Sequence, residues 1–252
     1  MYRYIRSDIY FQDDNTLDID YYNQNHKGIS TLPGKGSKKI NQALTDRPCY
    51  ETDSKFLEGH TVYSVYPYKH AQSDIIRALK KGLLNSDDYF EWIESTASYI
   101  VSSIISKNKP DILLCPASSS NLVFDVANEI SKQSGIQLLD NAFIKNPVSQ
   151  ITLDIDESHK AYPIAVKALD NVVKQGKFEA KRVPKQTLKF FKNIYRGDSA
   201  YADIVSGKDV AIIDDSMSSS SSMMNMMDVC ENVYNVNSVY GITVFKRVGS
   251  FK

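Results

Sequence analysis

The chain lacks a charge excess of either sign: 30 Lys and Arg side chains stand against 30 Asp and Glu among 252 residues. Holding nucleic acid by neutralising many phosphates needs a basic surplus or a strongly segregated basic face. Nucleic acid is therefore not an expected partner. Long apolar runs are also missing, since no window approaches the ~18 uninterrupted apolar residues of a membrane span. Residues 1–9 carry charges where a signal peptide needs an apolar stretch. The expected address is the cytosol, with no membrane partner.

Cysteine is scarce. Cys49, Cys115 and Cys230 are widely spaced, and His26, His60, His70 and His159 are scattered. Neither a disulfide framework nor a Cys-x-x-Cys zinc site fits that pattern. What is present is ordinary for a globular protein: 42% hydrophobic and 24% charged residues. At ~100–200 residues per domain this makes one large domain or two small ones with a substantial core.

Residues 1–66 are rich in Tyr, Asp, Asn and Gly and contain the alternating piece Thr61–Tyr66, so they read as a small β-rich N-terminal region. Leu32–Lys39 lacks the Walker spacing and the preceding strand, and reads as a surface turn. From residue 67 the expectation is an α/β domain to residue 252. A helix is predicted over Gln72–Lys81, closed by Gly82. A longer one starts at Ser86-Asp87-Asp88, with Ile93, Ala97, Ile100, Ile104 and Ile105 on its apolar side, and ends before Pro110. Asp111–Cys115 has the continuous apolar character of a strand buried on both faces of a parallel sheet, and an amphipathic helix follows over Asn121–Ser134. Ile136–Ile144 supplies another strand. Residues 145–207 are mixed, with a helix between Ile164 and Val173, and read as an insertion or lid. Asp209–Asp214 repeats the buried-strand signature, and Val239–Phe245 is a last strand.

The informative stretch runs from Val210 to Glu231. Asp214 and Asp215 stand at the carboxyl end of a buried strand, the edge at which open α/β sheets bind ligands. Ser218, Ser219, Ser220, Ser221 and Ser222 then lead into a Met-rich helix, bringing backbone N–H groups, hydroxyls and the positive end of a helix dipole together. Carboxylates accept hydrogen bonds from sugar hydroxyls, while the serine turn suits an anion, so a sugar phosphate such as ribose 5-phosphate matches both halves. The plainer alternative is a serine linker or helix cap after a solvated strand end. A linker would not sit between a buried strand and an apolar helix.

At these residues the sequence resembles the type I phosphoribosyltransferases, whose PRPP motif is an apolar strand, two acids, two variable residues and Thr-Thr-Gly-x-Thr. Asp214 and Asp215 match the acids, Ser218 and Ser219 the first two threonines, Ser220 the glycine and Ser222 the last threonine. The resemblance implies a parallel-sheet, Rossmann-like core. It also implies Asp214 and Asp215 as catalytic residues on the ribose hydroxyls, and Ser218–Ser222 around the 5-phosphate. The family's pyrophosphate loop would fall at Ala117, Ser118, Ser119 and Ser120, where any single serine reads equally well as a helix cap. Lys145 stands where several relatives place a basic residue near pyrophosphate, although a surface lysine is the plainer reading.

Tyr68–Gly82 is similar to the segment ahead of the core in the ComF-like branch, whose N-terminal zinc cysteines are missing here. The implied substrates are PRPP, carrying Mg²⁺ possibly near Asp214 and Asp215, and a small-molecule acceptor, with a homodimer as the candidate assembly. Lys181, Arg182, Lys185 and Arg196 are the cations of the expected lid. Ser220 adds a Cβ where the family has glycine. That departure keeps a second reading in view: a PRPP- or nucleotide-binding accessory protein that has lost turnover.

Overall fold

In the computed structural model, the described residues are 3–6, 9–11, 17–19, 50–53, 60–68, 86–118, 121–217 and 221–247. Seven strands form the main sheet: β1 (Tyr50–Asp53), β2 (Thr61–Tyr68), β3 (Ile112–Pro116), β4 (Gln137–Lys145), β5 (Tyr195–Gly197), β6 (Asp209–Met217) and β7 (Ser238–Arg247). Their order is β5-β4-β3-β6-β7-β2-β1. The five inner strands are mutually parallel, and β1 and β5 close the edges in the antiparallel sense. The fold is thus α/β with a mostly parallel sheet. Arg3–Arg6, Ile9–Phe11 and Leu17–Ile19 form a separate three-stranded antiparallel sheet.

Among the described residues four longer helices flank the sheet: α1 (Ser86–Ile100), α2 (Leu122–Ser134), α3 (Tyr162–Gln175) and α4 (Ser221–Asn232). α1 continues through a π-helical stretch, Val101–Ile105, and a last turn, Ser106–Asn108. Ser98, Ser102 and Ser106 each donate to the carbonyl four residues back, which offers the backbone a competing partner at the same place. Lys109 takes a left-handed φ of 43° and ends the helix before Pro110.

The pleat sorts the inner strands between two cores. Leu113, Cys115, Ala211 and Ile213 face α1 and α2, whereas Ile112, Leu114, Val210 and Ile212 face the methionines of α4. Burial on both faces explains why these strands carry no alternating polar residues. Residues 151–194 hold a third core of Ile151, Ala168, Val172, Phe178, Val183, Leu188, Phe191 and Ile194, so this segment buries apolar side chains of its own.

Every helix and strand expected after residue 85 is present, with ends moved by a few residues. The largest change is at β6, which runs on to Met217 because β7 is long enough to pair with Ser216 and Met217. Thr61–Tyr66 lies in a strand as expected, but that strand is β2, parallel to β7 in the main sheet. The boundary drawn at residue 66 therefore falls inside a strand of the α/β sheet. Alternation alone marks a strand without saying which sheet it joins. The helix expected over Gln72–Lys81 and the turn at Leu32–Lys39 lie outside the described residues. Among the described residues no helix is long and apolar enough to cross a membrane.

Candidate functional site

Strand order reverses at one place. From β3 the chain passes through α2 to β4 on one side, and from β6 it passes through α4 to β7 on the other. β3 and β6 are parallel neighbours, with Val210, Ala211 and Ile212 beside Ile112, Leu113 and Leu114. Their carboxyl ends diverge toward opposite faces of the sheet, and the gap between such strands is where open α/β sheets bind ligands. Ala117 and Ser118 leave β3 at this point, and Asp214 and Asp215 lie in the last part of β6, which ends at Met217. Sequence-predicted residues about a hundred positions apart thus reach one edge of the sheet.

Asp214 and Asp215 are half-buried. Being consecutive in a strand they face opposite sides: Asp214 shares the α4 face with Val210 and Ile212, and Asp215 the other face with Ala211 and Ile213. The Asp214 Oδ1 accepts from the Asp215 N–H at 2.8 Å, and the Ser216 hydroxyl donates to Asp215 Oδ1 at 2.7 Å. Asp214 lies level with Thr243 of β7, which in turn pairs with Ser64 of β2. The Ser64 and Thr243 hydroxyls, both fully buried, share a 2.8 Å hydrogen bond. A polar row thus crosses three strands at the level where the site begins.

Of the serine run, Ser221 and Ser222 open α4, Ser221 buried and Ser222 half-buried; Ser218, Ser219 and Ser220 lie outside the described residues. Ala117 and Ser118 are exposed, and the Ala117 N–H donates to the Phe143 carbonyl at 2.9 Å, anchoring the start of that turn on β4; Ser119 and Ser120 are outside the described residues. Lys145 ends β4, exposed, with Tyr195 as its partner across the ladder. The cations expected on a lid are spread: Arg182 pairs with Glu179 at 2.7 Å, and Lys185 and Arg196 are exposed.

Two features were not legible beforehand. One is a bulge in β4: Leu139 sits opposite Leu114 and Phe143 opposite Pro116, so extra residues of β4 bow out, with Asn141 at a φ of 53°. The Cys115 thiol lies beside this bulge. Burial pushes it up to about 11, Asp140 and Asp214 add to the rise, and the Asn141 N–H opposes it. The thiol is neutral near pH 7 and is not a nucleophile there. The other feature is Tyr195. Burial, then the charge of Asp214, drives its phenol well above its ordinary value; the Ser222 side chain opposes the rise and Asp215 adds to it. Its only sequence signal is an Ile-Tyr pair before Arg196-Gly197, too short to stand out.

Trp92 is buried and stacked on Phe245 at 5.9 Å, and Met223, Met224, Met226 and Met227 are buried against the sheet. These side chains build the core. Among the described residues no three or more His, Cys, Asp or Glu side chains converge to hold a metal ion. No model of a known protein family matches the chain, and no curated protein matches it.

Proposed function

We propose that the protein transfers a phosphoribosyl group from Mg·PRPP to a nitrogenous base or related acceptor. The observation that carries this reading is the placement of a half-buried acid pair at the reversal of strand order, with a hydroxyl-bearing helix start on the same strand-to-helix connection. Carboxylates at that edge accept hydrogen bonds from the ribose hydroxyls. The first turn of α4 and the serines before it offer N–H and O–H donors to the 5-phosphate. The turn after β3, across the same gap, faces the pyrophosphate end.

In this reaction the bond from C1 to the pyrophosphate oxygen breaks, pyrophosphate departs with the electron pair, and the acceptor nitrogen forms the new bond to C1. Positive charge builds on the ribose ring as the bond stretches. The protein's work is to hold the ribose still, keep carboxylates near the developing cation and exclude water. Mg²⁺ enters with PRPP as part of the substrate.

Release of pyrophosphate from Mg·PRPP, measured across a panel of purine, pyrimidine and other nitrogenous acceptors, tests the reading. Release with at least one acceptor is the expected result. Tight binding with no release under any acceptor would instead favour the non-catalytic accessory protein, the reading that Ser220 in the glycine position supports.

A further inference from the structure

Consecutive residues of a strand point to opposite faces of its sheet, so the pleat alone would send Asp214 and Asp215 apart. Two carboxylates that diverge in this way do not hold one sugar. Two hydrogen bonds turn them back along the strand. Asp214 Oδ1 accepts from the Asp215 N–H at 2.8 Å, and Asp215 Oδ1 accepts from the Ser216 hydroxyl at 2.7 Å. The N–H groups of a strand lie in the plane of its sheet, so a carboxylate that accepts one has swung from its face toward a strand edge. Ser216 shares its face with Asp214, and its bond to Asp215 likewise passes from one face to the other around an edge. β6 has two edges at this level. One is taken by β7, whose Thr243 and Phe245 stand level with Asp214 and Ser216. The other faces β3, whose pairing with β6 ends at Leu114 beside Ile212. That second edge borders the gap at the reversal of strand order.

Ser216 can act as a support because its own backbone is fixed. β6 runs two residues past the acids, and Ser216 and Met217 pair with Phe245 and Lys246 of β7. Phe245 is buried and stacked on Trp92 of α1 at 5.9 Å. A supporting side chain on an anchored strand holds its geometry better than one on a loop. A hydroxyl donating to a carboxylate at this length is also among the stronger hydrogen bonds. We propose that Ser216 is a positioning residue for Asp215: its hydroxyl draws the carboxylate to the edge of β6 that faces the gap, so that two acids set on opposite faces serve one sugar. This inference rests on the phosphoribosyl reading above. A carboxylate has about four lone-pair sites, so the group that accepts from Ser216 can also accept from a ribose hydroxyl. The motif resemblance gives Ser216 no role, since residues 216 and 217 fall at its two variable positions.

The test compares the wild type with Ser216→Ala and Ser216→Thr in the full chain. Calorimetry with Mg·PRPP and with ribose 5-phosphate reads affinity, and the NMR signal of the Asp215 carboxyl carbon in the ligand-free protein reads the hydrogen bond directly. Ser216→Ala removes a half-buried hydroxyl and should keep a cooperative thermal transition. It is expected to weaken both probes roughly ten-fold, about the effect of one hydrogen bond, and to move the Asp215 signal. Ser216→Thr keeps the hydroxyl on a residue that suits a strand, and should restore both affinity and signal. Unchanged affinity or an unmoved Asp215 signal in Ser216→Ala, or a loss that Ser216→Thr does not restore, overturns the positioning role while leaving the sugar-phosphate reading in place. If the wild type takes up neither probe, the sugar-phosphate reading itself falls, and the role of Ser216 with it.

Discussion

The side-chain amide of Asn225, one turn into α4, binds the backbone at two points three residues apart: its oxygen accepts from the Ile194 N–H at 2.9 Å and its nitrogen donates to the Phe191 carbonyl at 3.0 Å. The same nitrogen also meets the Ser221 carbonyl at 3.0 Å. One buried polar side chain therefore couples the helix that follows the acid pair to the segment that carries Tyr195.

Asn225→Ala leaves the Ile194 N–H without its acceptor in a buried place. A stranded buried donor costs about 1–3 kcal/mol, and a loss of that size is expected in the unfolding free energy. Hydrogen exchange should show residues 191–197 losing protection ahead of β3 and β6. Equal loosening of the whole sheet would contradict a local tie.

A Cβ on Gly197 would stand 2.8 Å from the Tyr234 ring and 2.9 Å from its hydroxyl. Tyr234 cannot easily retreat, since its hydroxyl donates to the Ala142 carbonyl at 2.6 Å and accepts from the Asp198 N–H at 2.7 Å. Gly197→Ala is expected to destabilise the fold by about 1–3 kcal/mol, the usual range for overpacking. A denaturation midpoint equal to the wild type's would show that the contact relaxes freely.

Stability should fall in alkali. Burial is the main reason that the phenols of Tyr89, Tyr195 and Tyr240 sit far above their ordinary value, that Tyr234 is pushed up to about 12 and that the Cys115 thiol is pushed up to about 11. On unfolding these groups return to 10.0 for tyrosine and 9.0 for cysteine. Above about pH 9 the folded state then holds more protons than the unfolded one, so each rise in pH favours unfolding. Their contribution is complete below about pH 9 and is lost as pH climbs through the folded values. The thermal midpoint should hold steady to that point and then drop, with the tyrosinate absorbance of these four residues appearing on unfolding. A midpoint indifferent to alkali would contradict the burial of these groups.

The sequence made the sheet legible because its strands are buried on both faces. Ile112–Cys115 and Val210–Ile213 have no competing helical period, and the polar turn after each announces a crossover. Strand order was less accessible. Nothing local says that Thr61–Tyr68 joins β7, a pairing across some 180 residues set by tertiary packing. The acid pair and the serine helix start were visible as an adjacent motif, whereas Tyr195 reaches the same place through β5, a three-residue edge strand whose side-chain direction depends on its register with β4. The bulge at Asn141 was hidden for a similar reason, since the sequence there reads as an uninterrupted strand.

The central claim is that Asp214 and Asp215 grip the ribose of a phosphorylated sugar. Calorimetric titration of Mg·PRPP into the wild type and into the Asp214→Asn, Asp215→Asn double variant tests it most directly. Removing both charges while keeping the side-chain shapes should abolish measurable binding and leave a cooperative thermal transition. Equal affinity in the two proteins would contradict the assignment.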